Sequence, residues 1–293
     1  MTRVSPKVLA LLGALTVVWG TNWPLFRIAL DELPVWTFRT IVMSVAVLML
    51  TAILVIRGER FAVPKGKWPA LIAASIMNVG VWNIATSLAV LYIPSGHASV
   101  LAYTMPLWVA LLGFAVFGQR LTPRLLAAIL IGAAAVVALM APNFRDYAQA
   151  PWGLFWGLLA GFCWAVGTFI VKRTAWPGMG LSLTFWQVII CLPPIALGML
   201  LIDGLPTHWP SARALTATLY TGAIPMALGT ATWFALVKLL PAQVAALSSI
   251  AIPIVAIVSG ILILHEPLSG LQAVAIASTV ISLWLALVPG RRG

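Results

Sequence analysis

The sequence predicts an all-α integral membrane protein of ten transmembrane helices, arranged as two five-helix repeats with inverted topology. Three observations predict this fold: the composition, the placement of the basic residues, and a repeat at a constant offset. Hydrophobic residues make up 62% of the 293 positions and charged residues only 8%, with a mean hydropathy of +1.07. Because a soluble domain carries about 25% charged residues, this composition indicates a protein that lies in the bilayer.

Ten stretches of the chain are long and apolar enough to cross a membrane, which takes about 20 residues of α-helix. The stretch 121–140 is almost purely aliphatic, whereas 211–236 is less apolar where it starts. The loops between the stretches are short, so none can fold into a soluble catalytic domain. The predicted spans are 8–30, 34–56, 68–91, 95–118, 121–140, 152–172, 180–202, 211–236, 240–264 and 268–288.

The basic residues are distributed unevenly over the predicted loops. With both termini in the cytoplasm, 13 of the 17 lysines and arginines fall on the cytoplasmic side, and Arg39 falls within a span. This bias follows the positive-inside rule and predicts an N-in, C-in topology with an even number of spans. It also accounts for the net charge of +11 without a nucleic-acid partner. The 13 residues are Arg3, Lys7, Arg57, Arg60, Lys65, Lys67, Arg120, Arg124, Lys172, Arg173, Lys238, Arg291 and Arg292.

The second half of the chain repeats features of the first at an offset of 147. Pro94 and Pro106 fall on Pro241 and Pro253, so the two prolines stay twelve residues apart in both copies. We therefore divide the chain into a first repeat, a linker and a second repeat. Five spans in each repeat place the halves in opposite orientations, which is the architecture of many secondary transporters. The repeats are 1–140 and 152–289, and the linker is 141–151.

Polar and helix-weakening residues inside the spans predict the transport pathway, because polar side chains there usually face protein or a water-filled cavity. Close helix packing is the alternative for the glycines, and interhelical hydrogen bonds are the alternative for the asparagines. The predicted substrate-binding residues are Trp19, Asn22, Asn78, Trp82, Asn83, Tyr103, Trp164, Thr168 and Ser248. The predicted hinges are Gly20, Pro24, Pro106, Pro225 and Pro253.

Charged residues are scarce within the spans. No carboxylate lies near the middle of a span, and Glu266 is expected in a loop. Arg39 is the most deeply placed charge, and we expect its long side chain to reach the membrane interface rather than to bind a substrate carboxylate. The sequence has no phosphate-binding glycine loop and no HExxH motif. We therefore expect no cofactor, no metal and no enzymatic activity.

The motif Trp19-Gly20-Thr21-Asn22, the short basic turns and the twice-used segment that ends in Gln119-Arg120-Leu121 and Glu266-Pro267-Leu268 resemble the EamA family of the drug/metabolite transporter superfamily. Within that family, the Trp-rich spans look most like the YddG-type aromatic amino acid exporters. The resemblance implies a ten-helix carrier with a central cavity that exports amino acids and other small metabolites. The family often has Glu where this chain has Gln119.

The resemblance thus implies an exporter of the bacterial inner membrane whose partners are the bilayer and a small molecule, preferably an aromatic amino acid. It would work by alternating access around a site near the midplane. A carrier of another organic solute or a cationic drug is the alternative, and a membrane-embedded enzyme is disfavoured because the three histidines are dispersed. Proton antiport, facilitated diffusion and the oligomeric state stay open. The histidines are His97, His208 and His265.

Overall fold

The computed structural model describes residues 6–118, 122–141, 151–204, 209–237 and 242–287, and the regular secondary structure within those ranges is helical. A membrane protein of this kind satisfies its backbone hydrogen bonds within each segment. The helices are α1 (Pro6–Leu30), α2 (Val35–Ile56), α3 (Trp68–Tyr92), α4 (Ser95–Ala102), α5 (Met105–Phe117), α6 (Pro123–Met140), α7 (Trp152–Arg173), α8 (Leu181–Asp203), α9 (212–237), α10 (Ala242–Leu264) and α11 (Gly270–Leu287).

Six helical segments in the described ranges are long and apolar enough to span a bilayer, and three more are apolar but shorter. Large aliphatic side chains such as Leu48, Leu201 and Leu262 are more than 70% exposed on the outside of the bundle. A soluble protein rarely exposes a continuous apolar surface. The chain is therefore a multi-pass membrane protein, as the composition predicted. The six segments are Pro6–Leu30, Val35–Ile56, Trp68–Tyr92, Ser95–Val116, Trp152–Arg173 and Leu181–Asp203.

Helices from the two halves of the chain pack between one another. Helix α1 packs against α9 and α10 of the second half, while α7 packs against α3, α4 and α5 of the first. Helix α2 packs against α8 and α9, and α6 against α11. The main core cluster mixes Phe38 and Ala85 with Ala160 and Ile252. Each half therefore buries its apolar surface largely against the other.

Helix α1 continues without interruption through two predicted hinges. Both Gly20 and Pro24 are buried within the helix Pro6–Leu30. A Cβ atom added to Gly20 would collide with the side chain of Val255. Gly20 therefore permits the close approach of α1 to α10, as small residues do in membrane helix pairs. A hinge role for Gly20 and Pro24 stays a prediction.

Three of the helices contain a π-helical stretch, and one predicted span is broken. The stretches are Ile76–Val81 in α3, Met199–Asp203 in α8 and Gly222–Gly229 in α9. Helices α4 and α5 are separated by a turn at Tyr103 and Thr104. Pro106 follows that turn in the first turn of α5, where a proline is tolerated because no intrahelical N–H donor is needed there. The predicted span at 95–118 therefore corresponds to Ser95–Val116, with a turn just before the predicted hinge Pro106.

Candidate substrate site

Aromatic side chains from α1, α3, α7 and the α4–α5 turn meet in one group, the aromatic cluster. The ring centroids of Trp82 and Trp164 lie 4.7 Å apart. Tyr103 lies with its ring centroid 6.4 Å from that of Trp82 and 6.4 Å from that of Trp23. These edge and tilted arrangements are the ones that aromatic pairs prefer. The structure thus brings together three of the predicted binding residues and adds Trp23, which sequence analysis did not select.

Asn78 lies within the π-helical stretch of α3 and is 8% exposed. Its Oδ1 atom has no hydrogen-bond partner. The Asn78 amide packs directly on Gly167 of α7, so that a Cβ atom on this glycine would overlap it. An unpaired buried acceptor costs about 1–3 kcal/mol. Oδ1 is therefore a buried acceptor that lacks a protein partner and packs against α7.

The Asn78–Gly167 contact lies close to the aromatic cluster. Asn78 precedes Trp82 by four residues in α3, and Gly167 follows Trp164 by three residues in α7. Side chains three or four residues apart lie on the same face of a helix, roughly one turn of 5.4 Å apart along its axis. Thr168, which is half-buried, directly follows Gly167. One helix interface therefore holds a buried, unpaired acceptor near an aromatic surface.

Trp19 and Asn22, two further predicted residues, lie at a different interface, between α1 and α9. The Trp19 indole Nε1 donates to the carbonyl oxygen of Pro225 at 3.0 Å, and its ring centroid lies 5.6 Å from that of Trp233. The Thr221 hydroxyl donates to Asn22 Oδ1 at 2.9 Å. The polar atoms named here thus have protein partners, unlike Asn78 Oδ1.

Arg39 does not reach the membrane interface, so that prediction is wrong. Its side chain is 1% exposed. The guanidinium Nε donates to Ser87 Oγ at 2.6 Å, Nη1 to Asn83 Oδ1 at 2.9 Å and Nη2 to Thr86 Oγ1 at 3.1 Å. Hydrogen bonds from α3 therefore satisfy the guanidinium inside the bundle, and the side chain has no need of water.

Two aromatic rings also lie beside the Arg39 guanidinium. Its Cζ atom lies 4.2 Å from the ring centroid of Phe26 and 4.8 Å from that of Phe38, within the range of a cation–π interaction. Sequence analysis missed this site, although a signal was present. Thr86 and Ser87 follow Asn83 by three and four residues within an apolar span, which puts both on the same face of α3 as Asn83.

Asn83 therefore has a different setting from the one expected. Its Oδ1 accepts from Arg39, and its Nδ2 donates to the carbonyl oxygen of Val79 at 2.8 Å. Both groups of the amide are occupied, so Asn83 holds Arg39 in place instead of joining Asn78. Ser248 lies on α10, but its side chain is outside the described residues. Hinge roles for Pro106, Pro225 and Pro253 stay predictions; the last two are buried within helical segments.

Three carboxylates join the halves of the chain at one end of the bundle. Glu32 accepts from the Ser211 N–H and hydroxyl, both at 2.6 Å, and Asp203 accepts from the Thr37 N–H at 2.7 Å and hydroxyl at 2.9 Å. Glu266, which lies in a loop as predicted, accepts from the N–H groups of Ser95 at 2.7 Å and Gly96 at 3.3 Å. Each carboxylate meets a helix N-terminus, where free N–H donors and the helix dipole favour negative charge.

The described residues contain no group of three or more His, Cys, Asp or Glu side chains that could hold a metal. Cys163 and Cys191 are both buried and unpaired, and the Cys191 thiol donates to the Ser75 carbonyl oxygen at 3.1 Å. The two cysteines therefore act as packing residues in helices α7 and α8.

Comparisons with known proteins agree with this architecture. The EamA-like transporter family matches residues 6–141 and again 151–288. A probable amino-acid metabolite efflux pump of Escherichia coli is 27% identical over 280 residues, which cover 90% of this chain and 89% of that protein. A probable terminal-alkyne amino-acid exporter of Streptantibioticus cattleyicolor is 28% identical over 273 residues, covering 90% and 87%. One solved crystal structure superposes with a TM-score of 0.69 at 21% identity, over 98% of this chain and 99% of its own, and shows the fold alone.

Proposed function

The chain belongs to the EamA-like transporter family, and we propose that it exports amino acids, aromatic ones in particular, across the bacterial inner membrane. It is a membrane transporter and not an enzyme, like its relatives. An amino-acid substrate is supported by the printed names of the Escherichia coli and Streptantibioticus cattleyicolor relatives. The aromatic preference is supported by the aromatic cluster, since a flat ring stacks well on indole and phenol rings.

We propose that ten transmembrane helices form two inverted repeats, 1–140 and 152–289, joined by 141–151, with both termini in the cytoplasm. The family match to both halves supports this division. The π-helical stretches support it further, because adding 147 to 76–81 gives 223–228, which lies inside Gly222–Gly229. The packing of α1 on α9 and α10 also mirrors that of α7 on α3, α4 and α5. Alternating access would exchange the conformations of the repeats about Gly20, Pro24, Pro106, Pro225 and Pro253.

The observation that carries the substrate proposal is the unpaired Oδ1 atom of Asn78 beside the Trp82–Trp164 pair. An ammonium group offers three donors, one of which would satisfy this acceptor. The substrate ring would then lie against Trp82, Trp164 and Tyr103. Thr168 would contact the substrate from α7, and binding roles for Trp19, Asn22 and Ser248 stay predictions.

Uptake by liposomes that contain only the purified protein tests this proposal. We expect tryptophan, phenylalanine and tyrosine to exchange faster than alanine or a sugar. Asn78→Ala and Trp82→Ala should each reduce tryptophan exchange about tenfold at equal reconstitution. Trp209→Ala is the matched control, because this indole is 90% exposed and far from any predicted span centre. Unchanged exchange in both site variants would contradict the proposed site.

The same liposomes separate the possible energy sources. The predicted spans hold no mid-depth carboxylate of the kind many proton-coupled carriers use. Facilitated diffusion is therefore weighed equally with proton antiport. Flux that follows only the substrate gradient when the pH gradient is varied would exclude obligatory antiport. A panel that also includes cationic drugs and neutral solutes covers the alternative carrier functions. If those compounds exchange faster than aromatic amino acids, the proposed substrate class is wrong and the faster compounds take its place.

A further inference from the structure

The positive charge of Arg39 has no counter-ion among the described residues. Its hydrogen-bond acceptors, Ser87, Asn83 and Thr86, are all uncharged. Burying a cation normally costs several kcal/mol unless a carboxylate compensates it. The carboxylates that the structure describes have other partners: Asp31 pairs with Arg27, Glu59 with Arg57, Glu32 with Ser211, Asp203 with Thr37 and Glu266 with Ser95 and Gly96.

This charge lies directly behind the aromatic cluster. Asn83, which accepts from Arg39, is the residue after Trp82 in α3. On the other side, Arg39 lies over Phe26, whose ring centroid is 5.7 Å from that of Trp23 in the cluster. Through Phe26 one side chain separates the guanidinium from Trp23, and through Asn83 the connection to Trp82 runs along the α3 backbone. At a separation of about 10 Å and an effective dielectric constant of about 20, a unit charge changes a binding equilibrium roughly tenfold.

Resting on the proposed function, we propose that Arg39 selects substrates by charge, favouring an aromatic compound that carries a carboxylate over the amine that lacks it. Asn78 and Asn83 lie on either side of Trp82 in α3. A zwitterion bound at Trp82 can direct its ammonium group to Asn78 Oδ1 and its carboxylate towards the side of Arg39. An amine would meet the same positive charge without a compensating group. Arg39 is a positioning residue in this scheme and acts through its field.

A purely structural role makes a different prediction. If Arg39 only ties α2 to α3, its removal weakens the binding of acid and amine by the same factor. If its charge selects substrates, the ratio of the two affinities changes. The ratio of tryptophan to tryptamine affinity is therefore the decisive measurement, because both compounds present the same ring to the aromatic cluster.

Asn83→Asp is the sharpest variant, since it places a carboxylate where an amide oxygen now lies 2.9 Å from Nη1. The variant neutralises Arg39 without removing it, and it should not lower the melting temperature. We expect its tryptophan-to-tryptamine affinity ratio to fall about tenfold, measured by competition against labelled tryptophan on the purified protein. Arg39→Gln should lower the ratio similarly, while Arg39→Lys should retain it.

Ser87→Ala is the matched control. It removes the 2.6 Å hydrogen bond to Nε but leaves the positive charge, so it should lower the melting temperature and retain the ratio. A ratio that is unchanged in Asn83→Asp, or that falls equally in Ser87→Ala, would overturn the proposal. A wild-type protein that binds neither tryptophan nor tryptamine would contradict the proposed function itself, and the inference with it.

Discussion

The interface between α3 and α7 and the interface between α1 and α9 share a design but differ in their polar groups. Each joins a helix with a π-helical stretch to a helix from the other half, and each contains a Trp pair with an interplanar angle of 57°. At α1–α9, the Pro225 carbonyl is bonded to Trp19. At α3–α7, the position 147 residues earlier is Asn78, whose Oδ1 is unpaired. The α1–α9 interface thus pairs its polar atoms named here with its own hydrogen bonds, whereas the α3–α7 interface leaves one buried acceptor unpaired.

The largest expected effect comes from adding one methyl group at each interface. In Gly167→Ala the new Cβ overlaps the Asn78 amide, so the amide must move and its acceptor is displaced. We expect initial uptake in liposomes to fall at least about tenfold. In Gly229→Ala the new Cβ would lie 2.7 Å from Trp19 Nε1, an indole that holds the backbone of α9. We expect a reduction of only about twofold. Equal losses would show that transport depends on both interfaces alike.

Substitutions of Asn78 and Asn22 should affect uptake and the melting temperature in opposite order. Asn78→Ala removes a buried acceptor without a partner, so we expect an unchanged or higher melting temperature together with a large loss of uptake. Asn22→Ala deprives the Thr221 hydroxyl of its acceptor, and such interhelical bonds contribute about 0.6–1.7 kcal/mol. We therefore expect a lower melting temperature and a smaller loss of uptake. Thermal unfolding in detergent and liposome uptake check the two variants, and a common ranking in both assays would contradict this separation.

A conservative change at Trp19 tests how much its hydrogen bond to Pro225 stabilises the α1–α9 interface. Trp19→Phe keeps an aromatic ring beside Trp233 but removes the donor to the Pro225 carbonyl. The unpaired carbonyl should cost about 1–3 kcal/mol and lower the melting temperature. Addition of tryptophan should still raise the melting temperature of this variant, because its Asn78 is intact. Loss of that ligand effect would place Trp19 in the binding site proper.

The smallest effects are expected at the paired prolines. Pro106 lies in the first turn of α5, where it interrupts no intrahelical hydrogen bond. Pro106→Ala should therefore change the free energy of unfolding by only about a few tenths of a kcal/mol and the melting temperature by about 1 °C or less. Pro253 lies within the continuous helix α10, and Pro253→Ala restores an intrahelical donor. We expect a higher melting temperature and uptake slowed about twofold if the helix must bend. Faster uptake by Pro253→Ala would exclude the hinge role.

The span boundaries could be predicted because length and apolarity alone determine them. The predicted span 34–56 agrees with Val35–Ile56, and 152–172 with Trp152–Arg173. The predicted hinge Pro106 lies just after the break at Tyr103, but the π-helical stretches could not be predicted, since they depend on backbone hydrogen bonds that shift by one residue. The burial of Arg39 was not predicted, because a long charged side chain near the end of a span was expected to reach water, whereas hydrogen bonds from the polar face of α3 hold it inside the bundle. Asn78 was selected correctly as an inward-facing polar residue, but only the packed structure shows that its Oδ1 is buried without a partner.

The three carboxylates at one end of the bundle have a consequence for the speed of transport. Glu32 and Asp203 reach in opposite directions between the halves, and Glu266 adds a third connection. Parting the halves at that end breaks all three connections in one movement, and water must solvate three carboxylates and three helix ends together. If alternating access opens that end as proposed, we expect the opening to be cooperative and to have a high barrier, whatever the substrate. We expect this event, more than the binding of a substrate ring, to set the turnover rate.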